Sequence, residues 1–221
     1  MKSFACGHLA ALLFVAAAPA FADGAAALPT RYEIYSGIGS QGYVLGGGAS
    51  FNDAFGVRGE GNYLNYTKNY SSDSVNYDGK LSYRNAGLFV DWHPFRGSFR
   101  LTAGALVGDD KVTGSATSSQ GSYTINGTSY SAAGQSLSAT VKFPTVRPYL
   151  GVGFGHTQQR GFGFYSDLGV AYGKPSVDVN ASPALQQQAA NDIAAEKSDL
   201  ESKANRLRYM PVLDVGVRYA F

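Results

Sequence analysis

The sequence predicts an all-β fold, an eight-stranded antiparallel transmembrane β-barrel with one short amphipathic helix in its last external loop. Three observations predict it. From Arg208 to Phe221 apolar and small or charged residues alternate almost without fault, and the chain stops on the aromatic Phe221. Segments of about ten residues repeat that alternation along the chain, separated alternately by short and long connections, as in outer-membrane strands. Finally, the chain has 28 Gly, 15 Tyr and 13 Phe against 15% charged residues. So much glycine leaves a soluble core poorly filled, whereas a small barrel must seat the inward side chains of all its strands at once.

The first element is an export signal over residues 1–22. Lys2 gives the positive start, Leu9 to Ala18 the apolar stretch, and Ala20-Phe21-Ala22 an A-x-A site with cleavage before Asp23. It is too short for a spanning helix, which needs roughly 20 apolar residues. Residues 23–221 then form one barrel domain, free of cysteine because Cys6 lies in the signal. The formal net charge is +2, and no basic block points to nucleic acid.

The strands follow in order. Arg31 to Gly39 sets Tyr32, Ile34 and Ile38 against Glu33, Tyr35 and Gly37, because successive side chains of a strand turn to opposite faces. Gly42 to Phe51 sets Tyr43, Leu45 and Ala49 against Gly46, Gly48 and Ser50. After the turn Asn52-Asp53-Ala54, Phe55 to Tyr66 sets Val57 and Tyr63 against Arg58, Glu60 and Asn62. Residues 67–76 are polar and read as a loop before Asp78 to Trp92, where Leu88, Val90 and Trp92 oppose Gly87, Phe89 and Asp91. The turn His93-Pro94-Phe95-Arg96-Gly97 leads into Ser98 to Asp109, with Leu101, Ala103 and Ala105 outward and Arg100, Thr102 and Gly104 inward. Arg147 to His156 and Phe162 to Gly173 repeat the pattern, and the terminal segment is the eighth strand.

The long connections carry their own signals. Residues 110–146 read as a hairpin above the membrane, in which Leu137, Ala139, Val141 and Phe143 oppose Tyr123 and Ile125. Counting that hairpin as spanning would give ten strands. The arm from Ser122 to Tyr130 has too few apolar positions for a membrane strand of about 9–11 residues. Residues 183–207 form the helix. Ser182 stands at its cap, Pro183 at its first position, and Leu185, Ala189, Ile193, Leu200, Ala204 and Leu207 along one stripe. That stripe is expected to pack on the barrel mouth or on the third loop, with a lid or a partner-binding helix as the other reading. Aromatic residues sort into two girdles: Phe51, Phe55, Trp92, Phe95, Phe99, Phe162 and Phe221 near the short turns, and Tyr43, Tyr63, Tyr172 and Tyr209 near the long loops.

These features resemble the OmpA-, OmpX- and OmpW-like small outer-membrane β-barrels. The resemblance rests on the export signal, the strand pattern, Pro148-Tyr149-Leu150-Gly151-Val152-Gly153 and the ending Val217-Arg218-Tyr219-Ala220-Phe221. It implies a Gram-negative outer membrane, contact with its lipid and lipopolysaccharide, and an assembly signal at Val215, Val217, Tyr219 and Phe221 read by the barrel-assembly machinery.

The candidate site is a network of lumen charges: Glu33, Arg58, Glu60, Asp91, Arg100, Asp167, Asp214 and Arg218 all fall on the inward face. Charges in a dry interior must pair, so the network reads either as an ion-pair plug or as the filter of a narrow path. No catalytic residue, cofactor or metal ligand is expected. The motif from Gly37 to Gly42 spells G-x-G-x-x-G but is followed by a strand, not the helix a dinucleotide site needs. His93 lies in a turn, and His156 falls on the outer face by alternation, with no Ser or Cys placed as a nucleophile. Three functions remain open at this point. The first is a structural or surface-interaction protein that meets an extracellular ligand through loops 67–77, 110–146 and 174–207. The second is an OmpW-like channel for small or apolar solutes, and the third a lipid-modifying enzyme.

Overall fold

The computed structural model describes residues 31–72, 75–118, 122–131, 133–156 and 160–221. The export signal and its cleavage residues Ala20, Ala22 and Asp23 lie outside the described residues. The strands are β1 (Arg31–Gly39), β2 (Gly42–Ser50), β3 (Phe55–Ser72), β4 (Val75–Trp92), β5 (Phe99–Gly108), β6 (Lys111–Ser118), β7 (Ser122–Ile125), β8 (Thr128–Ser131), β9 (Gln135–Lys142), β10 (Val146–Phe154), β11 (Gly161–Tyr172), β12 (Ser176–Ala181) and β13 (Tyr209–Ala220). The helices are α1 (Pro183–Gln188) and α2 (Ala190–Ala204), the latter followed by a 3-10 turn at Asn205–Arg208. No described helix is long and apolar enough to cross a membrane.

Eight strands close a ring in the order β1-β2-β3-β4-β5-β10-β11-β13, and β13 pairs back onto β1, all neighbours antiparallel. Closure leaves no edge inside the ring, so each strand has hydrogen-bonding partners on both sides. The alternation read from the sequence sorts the faces. Ile34, Leu45, Leu88, Leu150, Leu168 and Phe164 are exposed on the outside, whereas Arg58, Asp91, Arg100, Arg147, Asp167, Asp214 and Arg218 are buried. An apolar exterior around a charged interior inverts the arrangement of a water-soluble domain.

Aromatic contacts mark the two rims. Phe99 stacks between Phe95 and Phe154, and Tyr219 between Phe162 and Phe221, at the short-turn end. Tyr172 meets Tyr209 at 5.3 Å, and Tyr43 is the cross-strand partner of Tyr63, at the other end.

The structure departs from the sequence reading above the long-loop rim. Residues 67–76 were expected to be a loop, but β3 runs on to Ser72 and β4 already begins at Val75, and each is 18 residues long. At about 3.3 Å per residue such a strand is roughly 60 Å long, about twice what a bilayer core needs. The overhang has a physical reason. The upper part of β4 pairs with β6 from Ser82↔Lys111 to Val75↔Ser118, β6 with β9, and β9 with β12, so polar strands are held by a sheet and not by an apolar face. β12 was not anticipated. It continues the sheet in the segment read as loop before the helix.

The predicted helix is broken in two at Ala189, whose φ of −123° is not helical. Ser182 does not cap it through its side chain: its hydroxyl donates to Gln135 Oε1, and toward the helix it offers its carbonyl, which accepts from Gln186 N at 2.9 Å. Leu185 and Ala189 pack with Tyr123 and Ile125 of the small β7–β8 ribbon, flanked by Leu137 and Ile193. Of the predicted stripe, Leu207 is instead exposed, because the helix tightens into the 3-10 turn before reaching it.

Candidate functional site: the charged interior of the ring

The strand register brings most of the predicted inward charges together. Arg58 on β3 and Asp91 on β4 approach through Nε and Oδ2 at 2.5 Å. Arg100 on β5 donates to Asp91 Oδ1 at 2.7 Å and pairs with Asp167 on β11. Thr102 bonds the same Asp91 oxygen at 2.7 Å, so this one carboxylate ties three strands. Arg58 also reaches Asp167 at 3.6 Å. Strands β3 and β11 are four places apart in a ring of eight, which makes this contact diametric. Side chains therefore span the interior at this level.

The remaining predicted residues take different partners. Glu60 lies 3.8 Å from Arg58 and accepts from Tyr35 at 3.0 Å and Asn62 at 3.1 Å. Glu33 bonds His156 Nδ1 at 2.5 Å. Arg218 Nε donates to Gly155 O at 2.5 Å. Asp214 was counted into the network, yet it forms no described ion pair, and its buried Oδ1 has no hydrogen-bond partner among the described residues. The carboxylate lies where a Cβ on Gly39 would stand, beside its cross-strand partner Asp167, which takes the guanidinium groups.

His156 corrects the sequence reading. Alternation from Phe154 put it on the outside, but it is buried inside against Tyr35 and Tyr165, at 4.8 and 4.6 Å between ring centroids. Gly155 has φ +96°, which breaks the two-residue period and turns the next side chain inward. A Cβ there would stand 1.9 Å from Phe164 O, so the kink requires glycine. His93, also buried, bonds His156 O through Nε2 at 2.9 Å.

A second polar cluster lies nearer the long loops, and the sequence reading missed it. Asp110 and Arg147, both fully buried, form an ion pair where β5 hands over to β6. Asp110 also accepts from Arg84 N at 2.9 Å and from Asn85. Asn85 then contacts Gln41 at 2.8 Å and Asn62 at 3.1 Å. Through Asn62 and Glu60 this chain of hydrogen bonds meets the lower ion pairs. Arg147 shares the inward parity of Tyr149 and was readable; Gln41, at a hairpin tip, gave no signal.

The glycines of the G-x-G-x-x-G motif serve packing. A Cβ on Gly37 would stand 2.5 Å from Tyr165 Oη and 2.3 Å from Val215 O. Among the described residues no group of three or more His, Cys, Asp or Glu is arranged to hold a metal ion.

No protein-family model and no curated relative matches this sequence. Solved structures do match its fold. CarO2 of Acinetobacter baumannii is 20% identical with a TM-score of 0.61, covering 86% of this chain and 98% of its own. CarO of Acinetobacter baumannii is 19% identical with a TM-score of 0.60, covering 88% of this chain and 98% of its own. The antiparallel ring thus has the fold of these proteins.

Proposed function

We propose that this chain is an eight-stranded transmembrane β-barrel of a Gram-negative outer membrane, exported by the signal at residues 1–22, with a structural or surface-interaction role. The observation that carries the reading is the inverted polarity of the ring, with exposed Ile34, Leu88, Leu150 and Phe164 outside and the Arg58–Asp91–Arg100–Asp167 pairs within. Lipid covers such an exterior at no cost, whereas water would not. The ion pairs plug the lumen, and the diametric Arg58–Asp167 contact supports this. The overhanging sheet with its helices and the β7–β8 ribbon is the part that meets the outside, including an extracellular ligand. Val215, Val217, Tyr219 and Phe221 serve as the signal for the barrel-assembly machinery. The reading is non-enzymatic and needs no cofactor.

Orientation tests it. The only cysteine is Cys6, within the export signal, so single cysteines report cleanly. Ser129→Cys in the β7–β8 ribbon should label with a membrane-impermeant maleimide on intact cells. Asp53→Cys in the short turn should label only after the outer membrane is opened. Equal labelling of both on intact cells would refute the placement.

A further inference from the structure

Between the overhanging sheet and α2 lies a cavity of about 340 Å³, at the lower end of the range for small-molecule sites. Its floor is made by residues in register on three adjacent strands: Gly79 on β4, Gly114 on β6 and Ala139 on β9. A Cβ on Gly114 would meet nothing within 4 Å, and one on Gly79 only Lys68 O at 3.7 Å. Neither glycine has a positive φ. Backbone geometry and packing therefore do not require glycine at either place, yet their absent side chains are what keep the space open. A glycine in a strand interior weakens the strand, and its usual reasons include close approach of a ligand.

The roof is as well made as the floor is bare. Ile193, Glu196 and Leu200 project from one face of α2, and Ile125 from β7. The helix is fastened to the β7–β8 ribbon at the lip: Tyr130 and Asn126 donate to Asp192, and Asn126 N donates to Glu196 Oε2 at 3.3 Å. Tyr77 and Leu137 close the sides. The lining is mainly apolar, and its charged members are Asp78 and Glu196, with no cationic group among them. An apolar body would be held by the walls. Asp78 lies between Tyr77 and Gly79 on β4 and so turns its side chain to the other face, which leaves Glu196 to favour a positive group and repel a negative one.

We infer that this cavity is a binding site for a compact apolar amine. The inference rests on the surface-interaction reading only for the side from which the ligand arrives; the site itself is a property of the folded protein. Gly114 and Ala139 set its depth, and Glu196 sets its charge preference.

The test uses the whole mature protein refolded in a neutral detergent, with 2-phenylethylamine as probe and 3-phenylpropionate as its anionic counterpart, followed by ligand-observed saturation-transfer NMR. The parent protein should show saturable binding of the amine, at least tenfold tighter than the acid. Gly114→Leu should keep or raise the thermal midpoint, since it fills open space on a strand, and should weaken amine binding at least tenfold. Ala139→Leu makes the same block from the neighbouring strand, should Gly114→Leu fold poorly. Glu196→Gln should narrow the preference for amine over acid. Amine binding that is absent, non-saturable, or equal in the parent and both filled variants would overturn the inference. None of these outcomes bears on maleimide labelling in cells, so the two readings fail separately.

Discussion

Asp167 and Asp214 are cross-strand partners on β11 and β13, both buried on the inner face, and only Asp167 is reached by a guanidinium. Like charges facing each other across a ladder are unfavourable. The asymmetry divides the eight predicted lumen charges into those that hold the interior together and one that does not.

Removing one partner of a buried ion pair leaves the other charge without compensation, at about 3–5 kcal/mol. Asp91 is bonded by Arg58, Arg100 and Thr102, so Asp91→Asn should cost about that much. Asp214→Asn removes a charge with no described partner and should cost about 1 kcal/mol or less, or stabilise. Urea unfolding in lipid vesicles measures both. Equal losses would show that Asp214 belongs to the pairing network after all.

Much of this could be read from the sequence, and the misses have definite causes. The two-residue period placed Arg58, Asp91, Arg100 and Asp167 on one face because that period is rigid while a strand runs true. It misplaced His156 because a single left-handed glycine, Gly155, resets the phase. The overhang of β3 and β4 was hidden for a different reason. Thr67 to Asn76 has a loop's composition, but Thr67 to Ser72 pairs with the upper part of β4, which is itself held by β6, contacts that local sequence does not encode. Asp110 was set aside with the long polar segment after it, although its parity with Gly108 continues the inward face.

The outer face gives a second test. Val215 on β13 is exposed between Leu213 and Val217. Val215→Arg places a charge where lipid should lie, at a cost of about 2–4 kcal/mol near the bilayer midplane. Unfolding in vesicles of the variant at the parent's urea midpoint would remove the lipid-facing assignment.

Glycine spacing offers a third. A Cβ on Gly104 would stand 2.1 Å from Leu88 O, a backbone atom that cannot swing away, whereas one on Gly61 meets nothing within 4 Å. Gly104→Val should destabilise by about 1–3 kcal/mol or more through overpacking, while Gly61→Val should be near neutral. Comparable heat-modifiability for the two variants would contradict the packing described here.

The clasp between α2 and the β7–β8 ribbon should respond to acid. Hydrogen bonds from Tyr130 first, and Asn126 next, hold the Asp192 carboxyl below the usual carboxylate range. A lowered folded-state value means that the contact contributes fully above the ordinary carboxylate range and is lost as pH falls through the folded value. Amide hydrogen exchange in residues 126–131 should therefore be slow near neutral pH and rise, relative to intrinsic rates, below roughly pH 4. Asp192→Asn should remove that pH response. A response unchanged in the variant would assign it to another group.

Ion conductance of the refolded mature protein in a planar bilayer tests the central claim, a lumen closed by its own ion pairs. The account predicts a silent barrel, and a conducting one when Arg58 and Arg100 are both replaced by Ala. Steady, discrete openings of the unaltered protein would contradict it and make the charged interior a path instead of a plug.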